Sequence, residues 1–81
     1  MVRAKVVITL KEGILDPQGQ TLLRALGSLG YREVKDLRVG KYMEVMVEGE
    51  DPRLVEERLG EMCEKLLANP IIEDYRMEVE G

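Results

Sequence analysis

The stretch VRAKVVITLKEGILDP, Val2–Pro17, decides how the whole chain is read. In its first part Val2, Ala4, Val6, Ile8 and Leu10 are apolar, while Arg3, Lys5 and Thr9 are polar. Period-two alternation of this kind marks a strand with one buried face. Val7 breaks the polar row, so the opposite face carries more apolar surface than a solvated face needs. Gly13 marks a loop, and Asp16-Pro17 then opens a helix. The carboxylate of an N-cap Asp accepts orphan backbone N–H groups, and proline fits the first helical position because its missing N–H costs nothing there.

The same device recurs at Asp51-Pro52, 35 positions later. In the first helix Leu22, Leu23, Leu26 and Leu29 recur at helical spacing, and Gly30 supplies the stop. Gly19 and Gly27 lie inside it, each costing up to about 1 kcal/mol relative to Ala, which points to close packing against the sheet or, as the alternative, to close approach by a partner chain. Glu33–Val39 reads as a second strand and Lys41–Glu48 as a third, with Gly40-Lys41 as a tight turn between them. Met43, Val45 and Val47 face one side of the third strand; Tyr42, Glu44, Met46 and Glu48 face the other. Val55, Leu59, Met62, Cys63, Leu66 and Leu67 form the apolar stripe of the second helix. Asn69-Pro70 ends it, because a residue before proline is pushed out of the helical region. Ile71–Val79 is the last strand, with Ile71, Tyr75, Met77 and Val79 in one phase and Glu73 interrupting it.

The expected fold is therefore α+β, a ferredoxin-like split βαβ (β-α-β-β-α-β), with two helices on one face of an antiparallel sheet, in one domain over residues 1–81. The other face is open. It carries Val7, Tyr42 and Met46, a candidate self-association surface.

Composition removes several function classes. The chain has 81 residues, no histidine and one cysteine, so Ser-His-Asp and Cys-His catalysis, an intrachain disulfide and a structural zinc site all lack their groups. The formal net charge is −4, without the basic footprint that phosphate-backbone binding needs. With no Phe, no Trp and three Tyr, a base-stacking platform is also unexpected. No apolar run approaches the roughly 20 residues of a membrane span, and the N-terminus lacks a signal-peptide core. A cytoplasmic location follows by elimination. Few Asn and Gln against many Glu, Lys and Arg suit a thermophilic source.

The remaining chemistry is weak. Cys63 sits in an apolar stripe and reads as a buried small hydrophobe. Glu56, Glu57, Glu61 and Glu64 read as a solvated helix face. The Gly13–Gly19 segment leads into a helix N-terminus that suits an anion. It lacks a following Gly-Lys-Ser/Thr, and Asp16 already places negative charge at the cap. Arg38, Gly40 and Lys41 put two cations at the expected hairpin tip, a candidate docking element for an acidic or phosphate-bearing partner.

Three stretches together carry a resemblance. They are Leu15-Asp16-Pro17-Gln18-Gly19; Leu29-Gly30-Tyr31 with Val34 and Arg38-Val39-Gly40-Lys41; and Leu66-Leu67-Ala68-Asn69-Pro70-Ile71-Ile72-Glu73-Asp74-Tyr75. In this order, over Lys11 to Tyr75, they closely resemble the PurS family, the small subunit of phosphoribosylformylglycinamidine synthase. The resemblance implies a non-catalytic subunit of purine biosynthesis that joins a glutaminase subunit to a large synthetase subunit and supports ammonia transfer between them. It implies no cofactor in this chain, since ATP, Mg and glutamine are used by the partner subunits. It also implies self-association as a dimer or tetramer, with Asn69, Pro70 and Glu73 joining Arg38, Gly40 and Lys41 as candidate partner-docking residues. Neither a nucleic acid nor a membrane is an expected partner.

Three other classes share the strand–helix order. A small-ligand-binding regulatory module of the ACT type would respond to an amino acid. An acylphosphatase-like enzyme needs an Arg in the loop after the first strand, where this chain has Lys11-Glu12-Gly13. An RNA-recognition domain needs aromatics on its first and third strands, where only Tyr42 is available.

Overall fold

A computed structural model of the chain describes residues 1–80. Strand β1 spans Val2–Leu10, helix α1 Pro17–Ser28, strand β2 Gly40–Val47, helix α2 Pro52–Met62 and strand β3 Glu73–Glu80. The sheet is antiparallel with order β2-β1-β3. This is the ferredoxin-like split βαβ arrangement with β1 at its centre.

Both Asp-Pro steps act as read. Asp16 caps α1 by accepting the Gly19 N–H, and Asp51 caps α2 by accepting the Arg53 N–H. At the far end of α1, Gly30 adopts φ +101°. There the Gly30 N–H donates to Gly27 O and the Tyr31 N–H to Leu26 O, the paired bonds of a Schellman stop.

The register places Ala4 between Val45 and Val79, and Val6 between Met43 and Met77. These side chains share one face, and α2 lies against it. The core is Val2, Ala4, Val6 and Ile8 of the sheet with Val55, Leu59, Cys63 and Ala68 from the second half. Each fully buried side chain of the Leu or Ile class contributes about 1.5–3 kcal/mol relative to exposure. Leu59 and Ile8 are the largest such groups.

The last turn of the second helix is a π-turn over Cys63–Leu67, closed by the Ala68 N–H donating to Cys63 O at 3.0 Å. A π-turn adds one residue per turn and so rotates the apolar stripe. Cys63 and Ala68 are buried, while Leu66, placed in the stripe by regular periodicity, is 82% exposed.

Several expectations are corrected. Glu33–Val39 is not a strand, and Gly40-Lys41 is not a turn. Gly40 already belongs to β2 and stands opposite Thr9 of β1. A strand needs a neighbour, and among the described residues no strand lies alongside residues 33–39. Arg38, Gly40 and Lys41 therefore do not crown a hairpin tip. The last strand starts at Glu73, leaving Ile71 81% exposed in the turn before it. Of the two helical glycines, only Gly19 is closely approached, and by a loop: a Cβ there would lie 2.5 Å from Leu37 O, whereas one at Gly27 would meet nothing within 4 Å. Helix α1 buries only Gly19, and Leu22 and Leu29 stay exposed.

Candidate partner interface

The face of the sheet turned away from α2 carries Arg3, Lys5, Val7 and Thr9 at its centre, flanked by Tyr42, Glu44 and Met46 of β2 and by Arg76, Glu78 and Glu80 of β3. Ion pairs cross it: Arg3 reaches Glu44 at 2.8 Å and Lys5 reaches Glu80 at 3.0 Å. The Tyr42 hydroxyl donates to Glu44 at 3.3 Å. Hydrogen bonds from Arg3 and Tyr42 hold the Glu44 carboxyl below the usual carboxylate range, and the Arg3 guanidinium is raised in return. Pairs this exposed are screened by water and contribute little to stability. They do fix where the charges stand.

Of the three apolar candidates on this face, the structure joins two. Val7 stands directly opposite Tyr42, whereas Met46 stands opposite Arg3, with Glu44 between it and Tyr42 along β2. Tyr42 and Met46 are 56% and 58% exposed. The surface is thus one apolar pair and a separate Met within a charge lattice.

The docking candidates gather at the other end of the sheet. Asn69 and Glu73 are largely occupied in holding their own turn. Asn69 Oδ1 accepts from the Ile71 N–H, Asn69 O from the Ile72 and Glu73 N–H groups, and Glu73 Oε1 from the Asn69 N–H at 2.7 Å. Pro70 is exposed at the tip of this turn. The second carboxylate oxygen of Glu73 lies 3.8 Å from Lys41 Nζ, an ion pair that passes over β1 on the core side. Glu73 and Lys41 border a hollow of about 240 Å³ together with Ile8, Leu10, Pro17 and Val39. Arg38 is exposed beside it and carries no side-chain hydrogen bond or ion pair among the described residues.

Asp16 organises this end. Its Oδ1 accepts from Gly19 N and its Oδ2 from Val39 N at 2.8 Å, so its carboxyl sits below the ordinary value chiefly through the Val39 and Gly19 amides. The helix N-terminus considered for an anion is thereby filled by the chain's own carboxylate. Burial raises the Cys63 thiol, which suits the core role read from its stripe. Among the described residues, no group of three or more Cys, Asp or Glu side chains is placed to hold a metal, and no helix is long and apolar enough to cross a membrane.

Sequence periodicity identified the α1 stripe but not its fate. Leu22 and Leu29, which recur at helical spacing, are 49% and 73% exposed.

Fold and sheet order together define a small α+β module of the ferredoxin-like split βαβ type. The chain belongs to the PurS family: residues 3–81 match the family model described as phosphoribosylformylglycinamidine (FGAM) synthase. It is 55% identical over 80 residues to the phosphoribosylformylglycinamidine synthase subunit PurS of Bacillus subtilis, covering 99% of this chain and 94% of that one. The solved structure of B. subtilis PurS superposes with a TM-score of 0.89 at 54% identity, covering 100% of both chains. Methanocaldococcus jannaschii PurS, described as one of the subunits of formylglycinamide ribonucleotide amidotransferase in the purine biosynthetic pathway, superposes with a TM-score of 0.88 at 46% identity, covering 99% of this chain and 96% of that one. A chain in the structure of PurLQS from Thermotoga maritima superposes with a TM-score of 0.86 at 30% identity, covering 99% of each chain.

Proposed function

We propose that this chain is the non-catalytic small subunit of a phosphoribosylformylglycinamidine synthase complex in purine biosynthesis. It bridges a glutaminase subunit and a large synthetase subunit and supports passage of ammonia between them. The observation that carries this reading is its end-to-end likeness to a chain of the T. maritima PurLQS structure. The chain's own chemistry is consistent with it. A subunit that only joins two enzymes needs surfaces and fixed charges, and no histidine is present to serve as an acid–base group.

In this role the chain holds no cofactor, and ATP, Mg and glutamine are the business of the partner subunits. It works as a dimer or a dimer of dimers in the cytoplasm. The open face with Val7 and Tyr42 serves self-association, with Met46 at its margin. The end of the sheet bearing Arg38, Gly40 and Lys41, with Asn69, Pro70 and Glu73 across the hollow, faces the larger subunits.

Reconstitution tests the reading. Synthetase and glutaminase subunits are assayed for glutamine-dependent product with and without this chain. Strong dependence on the chain supports a bridge. Full glutamine-dependent activity in its absence contradicts it.

A further inference from the structure

Strand β3 has a neighbour on one side only. Its register runs unbroken against β1, from Glu73 opposite Leu10 to Glu80 opposite Arg3, and it stands last in the order β2-β1-β3. Among the described residues no strand pairs with its outer edge. In an antiparallel pair every second residue turns its N–H and C=O away from the partner strand. Over the eight residues of β3, about 27 Å, those groups are left open. Such a row is a template for another strand, so what stands along it decides which strand.

The side chains along this edge are acidic. Asp74, Arg76, Glu78 and Glu80 are exposed on the open face, while Tyr75, Met77 and Val79 are half-buried on the core face. With Glu73 the strand carries four carboxylates against one guanidinium, so net −3 of the chain's −4 lies on this one edge. Pairing within the chain offsets only part of it. Lys5 holds Glu80 at 3.0 Å and Lys11 reaches Asp74 at 3.8 Å, while among the described residues Glu78 is in no ion pair.

This pattern discriminates between occupants. Two β3 edges meeting antiparallel must keep core face beside core face. In the two longest such registers, Asp74 stands opposite Glu78 or Glu80 of a second copy, a like-charge pair that opposes edge-to-edge pairing. A basic strand meets attraction at the same positions. The edge also begins at Glu73, at the end of the sheet that carries Asn69, Pro70 and the Lys41–Glu73 ion pair.

We infer that the outer edge of β3 is a docking edge, to which an extended basic segment of one of the larger subunits adds as a further strand. This rests on the bridging role proposed above and names the chemistry of one contact. Backbone hydrogen bonds hold the segment, and its alternate side chains select it. One set lies beside Asp74, Glu78 and Glu80 and is Lys or Arg, with a polar or acidic group beside Arg76. The other set lies beside Tyr75, Met77 and Val79 and is apolar, continuing the layer on which α2 packs.

Amide hydrogen exchange tests this, read residue by residue on the unmodified full-length chain, alone and in the reconstituted complex. In the free chain every second amide from Glu73 to Glu80 should exchange fast. In the complex those amides should slow about tenfold or more, the net worth of one backbone hydrogen bond. A complex that forms while these amides exchange as in the free chain overturns the docking edge and leaves the bridge standing. No complex at all overturns both. Protection of the same amides in the chain alone, rising with its concentration, assigns the edge to a second copy and overturns the proposal. A charge variant decides by affinity. Glu78→Gln should weaken assembly with the larger subunits about tenfold, and more at low salt than at high salt. Glu57→Gln, on the exposed face of α2, is the control. Equal affinity of the Glu78 variant and the native chain at low salt contradicts the proposal.

Discussion

The Asp16 carboxylate accepts the Val39 N–H at 2.8 Å across 23 residues, while its other oxygen caps α1 at Gly19. One side chain thereby ties the first turn of α1 to the entry of β2. Loss of this clamp should loosen both the first turn of α1 and the entry of β2. Asp16→Ala should lower the melting temperature and accelerate exchange of the Gly19 and Val39 amides, while Asp16→Asn should recover part of the loss because its amide oxygen still accepts a bond. Equal behaviour of the Ala and Asn variants and the native protein in both measurements contradicts the clamp.

The same group predicts an acid limb. Its folded value is depressed below the ordinary 3.8, so the stability it contributes is whole above that value and is lost as pH falls below it toward the lowered value. Melting curves between pH 5 and 2 should show a smaller acid destabilisation in Asp16→Asn than in the native chain, and parallel curves would contradict the assignment.

Cys63→Ala should destabilise without disturbing assembly. The thiol is fully buried among Leu59 and Ala68, and removing a buried group of this size costs about 1 kcal/mol or more through lost burial and a small cavity. Denaturant unfolding measures the cost. Thiol reagents should react slowly with the folded protein, since burial raises the thiol's pKa. Fast labelling accompanied by lost complex activity points instead to a functional thiol.

On the open face, Tyr42→Glu should weaken self-association more than Met46→Glu, because Tyr42 stands against Val7 and Met46 stands against Arg3. Glu57, exposed on α2, is the control position. Sedimentation across a dilution series reads the order, and an effect at Glu57 as large as at Tyr42 contradicts it.

Arg38→Ala should leave the melting temperature nearly unchanged and weaken assembly with the larger subunits. An exposed charge pair is worth about 0–1 kcal/mol, whereas truncating one side of a desolvated interfacial pair costs about 2–5 kcal/mol. Unchanged affinity for the larger subunits removes Arg38 from the docking surface.

Most of the fold was legible in the sequence for local reasons. Alternation from Val2 to Leu10 and the two Asp-Pro caps are decided by neighbours a few residues away, and the structure keeps all three. The misses are places where the deciding contact is distant. Residues 33–39 have strand-forming character, but a strand exists only beside another, and none lies beside them among the described residues. Leu22 and Leu29 have helical spacing, but spacing cannot say which surface they cover. The π-turn at Cys63–Leu67 shifts the stripe by one residue, a register change that apolar periodicity does not encode. The surface candidates fared similarly. Val7 and Tyr42 meet because their phases agree, while Asn69 and Glu73 turn out to be engaged by the Asn-Pro turn they belong to.

The most direct test of the bridging role compares nitrogen sources. Synthetase activity is measured with glutamine and with free ammonia, each with and without this chain. A bridge matters only when ammonia must pass between subunits, so omission should abolish most glutamine-dependent turnover and leave ammonia-dependent turnover largely intact. Equal loss with both nitrogen sources contradicts the bridge and places the chain in the synthetase step itself.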